Sequence, residues 1–175
     1  MTAQAGDTAS KSSLRASLRA VRKSFTPLQR QRAAAKAACH ALRLIEQRRA
    51  RHVALYLTMG SELDTGPLLA KLRQRRLHLY VPRLQTGRLQ FAPRRSARKM
   101  DVILLPLLGF DTHGTRLGQG GGHYDRALNF IRAFQRPLLV GYAYALQKIE
   151  TLPRESHDVR LDAVITEKGL QWLTG

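Results

Sequence analysis

Cysteine is nearly missing from this sequence: Cys39 is the only one, so no intrachain disulfide staples the fold and no cysteine-rich metal motif exists. Acidic residues are scarce too, with 12 Asp plus Glu against 30 Lys plus Arg and a formal net charge of +18. Aromatic residues make up 6%, and none interleaves with the basic runs as a base-stacking surface would require. No helix-turn-helix or zinc pattern is visible. No apolar run approaches the roughly 18–20 residues that cross a bilayer, and residues 1–11 lack the apolar centre of a signal peptide. These absences favour a cytoplasmic protein kept off the membrane, and they disfavour nucleic acid as its partner.

What is present suits an ordinary globular fold. Hydrophobic residues account for 43% and charged residues for 24% of 175 positions, which fits one domain around one core. Residues 1–10 are expected to form a disordered tail and residues 11–175 a single domain. The basic excess concerns partners and solubility rather than fold. Polyanions are its natural targets: nucleotide phosphates, nucleic acid or a poly-acidic small molecule. Its runs at 47–51, 73–76 and 94–99 each read, taken alone, as a solvated face. Cys39 lies in an Ala-rich helical pattern and is expected to be a small buried or half-buried side chain.

Leu14, Leu18, Val21 and Phe25 recur at helical spacing, with Lys11, Arg15, Arg19 and Arg22 as a second stripe beside them. Thr26-Pro27-Leu28-Gln29 is a helix start, with Thr26 as cap, Pro27 where its missing N–H costs nothing and Gln29 closing a capping box. The helix runs to about Arg49 and buries Ala34, Ala38, Ala41, Leu42 and Ile45. Residues 53–57 read as a strand, 58–66 as a loop, and 67–75 as a helix entered through Asp64 or Thr65. Residues 77–81 read as a strand stopped by Pro82, and 89–91 as a short strand. Residues 102–105 form a continuous apolar strand of the kind buried on both faces of a parallel sheet. A Gly-rich loop follows, then a helix from about His123 to Phe134, a strand at 138–142 and a last strand at 163–166. Residues 167–173 read as a short helix or an extended tail. Alternating strands and helices predict an α/β domain: a mainly parallel sheet flanked by helices, in a Rossmann-like three-layer architecture. Ligands in such sheets sit beyond the carboxyl ends of the strands, where the loops 58–66 and 106–122 stand.

The second loop carries Arg116, Leu117, Gly118, Gln119, Gly120, Gly121, Gly122, His123, Tyr124 and Asp125. Its four glycines leave no Cβ between backbone and ligand, and it runs straight into a helix, a geometry suited to a phosphate. Arg116 can add a bidentate guanidinium, and Asp125 can hold a divalent cation bridging phosphates. There is no Gly-Lys-Ser/Thr ending, so this is not a P-loop, and the third glycine of a dinucleotide fingerprint is out of place. A tightly turned connection, with Asp125 as a first-turn helix carboxylate, remains the alternative.

The blocks 101–106, Gly109-Phe110-Asp111 and 116–126 resemble the signature of the 5-formyltetrahydrofolate cyclo-ligases, or methenyltetrahydrofolate synthetases. The likeness continues at Tyr56-Leu57, Glu62 and Asp64-Thr65, through residues 141–147, 155–158 and 161–167, and at the paired basic residues Lys11 and Arg15. It spans residues 11–172. The resemblance implies that 5-formyltetrahydrofolate and ATP give 5,10-methenyltetrahydrofolate, ADP and phosphate, with Mg²⁺. The formyl oxygen attacks the γ-phosphate, N10 closes the ring on the resulting iminium phosphate, and phosphate leaves. It also implies roles. Lys11 and Arg15 contact ATP phosphates. Arg116, Leu117, Gly118, Gln119, Gly120, Gly121, Gly122, His123 and Tyr124 cradle the triphosphate, with Arg116 and Tyr124 at the reacting centre. Asp125 and Asp158 hold Mg²⁺. Leu57 and Glu62 contact the pterin. A monomer is implied.

Two departures from the family pattern stand out. His123 replaces the first of the two tyrosines that usually follow the glycines, which predicts an altered pH dependence. Residues 83–100 replace a longer segment that helps to wall the folate pocket. That wall is expected to be missing or replaced by basic residues such as Arg94, Arg95 and Arg98, which could hold an acidic polyglutamate tail. The alternatives are a catalytically weak relative that binds ATP or folate without cyclising it, and a basic nucleic-acid-binding protein.

Overall fold

A computed structural model describes residues 10–86, 88–93, 96–128 and 137–174. The expected tail, except Ser10, lies outside these residues, as do Arg94, Arg95 and the far half of the helix expected to reach Phe134. Helix α1, Lys11–Lys23, starts where Ser10 Oγ accepts from the Ser13 amide at 3.3 Å. Helix α2, Pro27–Gln47, opens with the expected capping box. The Gln29 amide donates to Thr26 Oγ1 at 3.2 Å, and Gln29 Oε1 accepts from the Thr26 amide at 2.8 Å. Its inner face is Ala34, Ala37, Ala38 and Ala41, all with no exposed area, so the helix backbone lies close against the sheet.

The strands follow as β1 His52–Ala54, β2 His78–Gln85, β3 Arg88–Ala92, β4 Val102–Leu105, β5 Gly109–Phe110, β6 Arg116–Leu117, β7 Leu138–Tyr142, β8 Ala163–Thr166 and β9 Gly169–Trp172. Helix α3, Gly66–Arg73, sits between β1 and β2, and α4, His123–Leu128, follows β6. Seven strands form one sheet in the order β3-β2-β1-β4-β7-β8-β9, parallel from β2 to β8 with an antiparallel strand at each edge. Strands β5 and β6 pair apart, as a hairpin above β4 in the chain.

Successive side chains on β4 point to opposite faces, and the two faces carry two cores. Val102 and Leu104 join α2, α3, Val140, Tyr142 and Ile165 on one side. Ile103 and Leu105 join Leu139, Val164, Phe91 and Leu128 of α4 on the other. This is the expected α/β sandwich of helix, sheet and helix. Helix α1 stands apart, over a small third cluster of Leu18, Leu108, Leu117 and Leu152.

Four expectations are corrected. Pro82 does not stop its strand, because β2 runs past the end of β1 there and pairs only with β3, so the missing N–H breaks no central ladder. Residues 169–172 form an antiparallel edge strand instead of a helix or tail, with Gly169 turning the hairpin at φ +141°. Cys39 is exposed: it lies one residue, about 100° round the helix, past the buried Ala38. On α1, Val21 is 41% exposed while Arg22 is 5% exposed, the reverse of the apolar stripe.

Replacing the cap of α2, Thr26→Ala, is expected to cost about 1 kcal/mol of stability. Urea unfolding should show the loss while substrate KM values stay unchanged.

Candidate active site

Strands β1 and β4 are parallel neighbours, so both deliver the chain into loops at the carboxyl end of the sheet. The first loop, residues 58–66, is tied by its own side chains. Thr58 Oγ1 donates to Asp64 Oδ1 at 3.1 Å and accepts from the Thr65 amide at 2.9 Å. Thr65 Oγ1 donates back to the Tyr56 carbonyl at 2.9 Å. The Met59 amide donates to Glu62 Oε2 at 3.0 Å, which sets this carboxylate at the loop's rim.

The second loop begins with the β5–β6 hairpin, organised by Asp111. This carboxylate is 1% exposed. It accepts from the amides of His113 and Thr115 at 3.0 and 2.9 Å, and from that of Leu152 at 3.1 Å. The hairpin places Arg116 at its base and the glycines beyond. Gly120 and Gly122 have φ of +111° and +59°, which explains why residues without a side chain stand there. Arg126 then closes the turn, donating to the Gly121 carbonyl at 2.8 Å and to His123 Nδ1 at 3.0 Å. A guanidinium only donates, so His123 Nδ1 is the acceptor of that bond.

The central pair is Arg116 and Asp125. Their Nη2 and Oδ1 are 2.6 Å apart, and the Arg116 side chain is only 4% exposed. The Val159 amide donates to the same Asp125 oxygen at 3.2 Å, which draws the 155–159 segment, with Asp158, to this point. Arg116 Nε is buried without a partner, an unusual state for so strong a donor. The guanidinium carbon stands 6.0 Å from the centre of the Tyr124 ring. Burial pushes the Tyr124 phenol far up, with Glu62 adding to the shift and Arg116 opposing it. The phenol therefore keeps its proton.

These groups surround a cavity of about 530 Å³. Arg116, Tyr124 and Asp125 line it together with Gly118, Gln119, Gly121, Gly122 and His123. Leu57, Met59 and Glu62 come from the first loop, and Pro82, Leu84 and Leu89 from the β2–β3 hairpin. Leu57, Met59 and Leu84 are 57%, 75% and 58% exposed, apolar groups left in water at the rim of one opening, as ligand-binding surfaces are. Leu84 and Leu89 belong to the shortened segment 83–100, so that segment lines one side of this cavity. Of the basic residues expected there, Arg98 is exposed on a short turn and does not line the cavity, while Arg94 and Arg95 lie outside the described residues.

Five expected site residues do not line the cavity: Lys11, Arg15, Leu117, Gly120 and Asp158. Leu117 is 3% exposed and packs under α1, so its side chain faces a core. Lys11 Nζ lies 2.8 Å from Glu155 and 3.0 Å from Asp158, while Arg15 Nε donates to the Gly118 carbonyl at 3.1 Å. Asp125 and Asp158 thus each hold a cationic partner, and among the described residues no three His, Cys, Asp or Glu side chains gather to hold a metal ion. Sequence reasoning missed Met59, Pro82, Leu84, Leu89 and Arg126. The turn pair Thr86-Gly87 between two apolar stretches was the available signal for the hairpin.

Comparison with known proteins gives a consistent set of likenesses. The profile of the 5-formyltetrahydrofolate cyclo-ligase family matches residues 7–98 and 91–167. The 5-formyltetrahydrofolate cyclo-ligase of Haemophilus influenzae is 32% identical, over 89% of this chain and 96% of its own length. That of Escherichia coli is 34% identical, over 89% of this chain and all of its own. Among solved structures, the Aquifex aeolicus 5,10-methenyltetrahydrofolate synthetase superposes with a TM-score of 0.81 at 28% identity, covering 94% of this chain and 93% of its own. The Mycoplasma pneumoniae 5,10-methenyltetrahydrofolate synthetase has the same fold, with a TM-score of 0.79 at 22% identity, covering 91% and 99%.

Burial alone would raise the Asp158 carboxyl, but the Glu155 amide and Lys11 outweigh it and hold it below its ordinary 3.8. A carboxyl lowered in the folded state stabilises the protein above its unfolded pKa, and that contribution is lost as pH falls through the folded value. Asp158→Asn should therefore lower the denaturation midpoint at pH 7, with the difference from the unaltered protein shrinking progressively below about pH 4.

Proposed function

The chain belongs to the 5-formyltetrahydrofolate cyclo-ligase family, and from that membership we propose how its cavity divides the work between two substrates. The enzyme is a ligase of folate metabolism that converts 5-formyltetrahydrofolate to 5,10-methenyltetrahydrofolate. In our reading the triphosphate of ATP lies along Gly118, Gln119, Gly120, Gly121 and Gly122 with its terminal phosphate at Arg116. The folate ring lies between the first loop and the β2–β3 hairpin. The observation that carries this division is Arg116, a residue of the cavity lining whose Nε is buried without a partner.

Arg116 supplies fixed positive charge where the transferred phosphoryl group gathers negative charge, in a site too dry for water to do so. Asp125 keeps its plane oriented through Nη2, leaving Nε as the donor in reserve. Tyr124 donates its phenolic proton in a hydrogen bond to the same group without losing it. Glu62 accepts from the N–H groups of the pterin, and Leu57, Leu84 and Leu89 cover its apolar surface. Holding the formyl oxygen in line with the terminal phosphorus is the main service of the protein. Lys11 and Arg15 reach the phosphates by exchanging their present partners. Asp125 and Asp158 are hard oxygen donors near one point, the type that, with phosphate oxygens, suits Mg²⁺. When bound, that ion would neutralise phosphate charge.

The finer biology follows from the same reading. The enzyme acts as a monomer in the cytoplasm, and its +18 charge assists acidic, polyglutamylated substrate. A weak relative is not favoured, since its only support was the absent wall, and Pro82, Leu84 and Leu89 now line that side.

A spectroscopic assay for the methenyl product tests the reading. Product should form from 5-formyltetrahydrofolate only when ATP and Mg²⁺ are present, and formation without ATP would overturn the nucleotide half. Arg116→Lys should lower kcat/KM roughly a hundredfold. For the polyglutamate claim, KM should fall with the length of the acidic tail at low salt and lose that dependence at high salt.

A further inference from the structure

Of the α1 basic stripe, Arg19 and Arg22 have no role in the division above, and Arg22 is the most deeply placed of the four. It is 5% exposed. Its Nε donates to Ser61 Oγ at 3.0 Å, and its Nη1 to the Leu107 carbonyl at 3.4 Å. Ser61 belongs to the first loop and precedes Glu62. Leu107 belongs to the second loop, and its carbonyl also accepts from Gln147 Nε2 at 2.8 Å. One guanidinium therefore bonds both loops that face each other across the cavity, from behind. Its neighbours are neutral oxygens, so burial weighs against its charge, and Glu62 is the foremost opposing influence.

We propose that Arg22 is a positioning residue of the cyclisation reaction: it joins the two cavity loops and sets Glu62 where the pterin N–H groups meet it. The chain of contacts is short. Arg22 anchors Ser61, the next residue is Glu62, and the Met59 amide three residues back holds the Glu62 carboxylate at 3.0 Å. On the other side of the cavity Gln119 Nε2 stands 3.5 Å from Glu62 Oε1, so the spacing of the loops that Arg22 fixes also fixes this second contact. Lysine is too thin a substitute, because its single nitrogen cannot span two acceptors on separate loops in a fixed plane. The inference rests on the reading of Glu62 as a folate ligand.

The test is a double-substitution cycle on KM, with thermal stability followed in parallel. Arg22→Met should raise KM for 5-formyltetrahydrofolate roughly tenfold, in line with the loss of hydrogen bonds to a charged group, and leave KM for ATP within about twofold. Arg22→Lys should recover only part of that loss. Ser61→Ala, which removes one acceptor and no charge, should raise the folate KM about threefold in a protein that melts near the unaltered one, so the inference stays testable if Arg22→Met does not fold. In a Glu62→Ala background, Arg22→Met should add nothing further. Should Glu62→Ala leave the folate KM unchanged, the reading of Glu62 fails. If Glu62→Ala raises it and the Arg22 effect persists undiminished on top, or if Arg22→Met raises both KM values equally, the inference about Arg22 fails and its role is support of the fold alone.

Discussion

A buried guanidinium held by one carboxylate oxygen organises this molecule. The Arg116–Asp125 pair joins the base of the β5–β6 hairpin to the first turn of α4, and through the Val159 amide it draws in the 155–159 segment. Taking two charges out of water is costly, and a buried pair of this kind seldom repays the cost in stability. Removing either partner would strand the other charge. Such an arrangement makes chemical sense where the remaining hydrogen-bond capacity of the arginine serves a ligand. The unmet Nε, and the cavity that Arg116 lines together with the glycines, agree with that use.

Much of the frame was legible from the sequence. The capping box at Thr26 and Gln29, the inward alanines of α2 and the fully apolar run Val102–Leu105 each follow from local rules, and the structure agrees with all three. The glycine loop was legible because Gly120 and Gly122 occupy backbone conformations that other residues resist. The failures have a common cause, which is that tertiary neighbours decided them. Whether Pro82 ends a strand depends on whether a second partner lies beside it, and β1 is too short to be there. Whether residues 169–172 make a strand depends on β8 offering an edge. The exposure of Val21 and burial of Arg22 reverse a sound periodicity, because two loops distant in sequence present oxygen atoms to that side of α1.

The basic residues of α1 show how charge can act as structural adhesive. Lys11, Arg15, Arg19 and Arg22 reach, in order, the 155–158 segment, Gly118, Gln119 and the pair Ser61 and Leu107. The apolar contact beneath the helix is a small cluster separate from both cores. Its placement thus relies on polar bonds to the site loops as well as on that cluster. A helix held in this way shares the fate of the site: what disorders the loops loosens α1, and what binds them secures it.

The central claim is that Arg116 keeps a donor in reserve for the terminal phosphate of the nucleotide. The most direct measurement is the nuclear magnetic resonance signal of its side-chain Nε–H, identified by comparison with the Arg116→Lys protein, as a non-hydrolysable ATP analogue is titrated in with Mg²⁺. The account predicts a large shift of that signal that saturates together with the shifts of the Gly118, Gly120, Gly121 and Gly122 amides. A nucleotide that binds while the Arg116 signal stays where it was would contradict it.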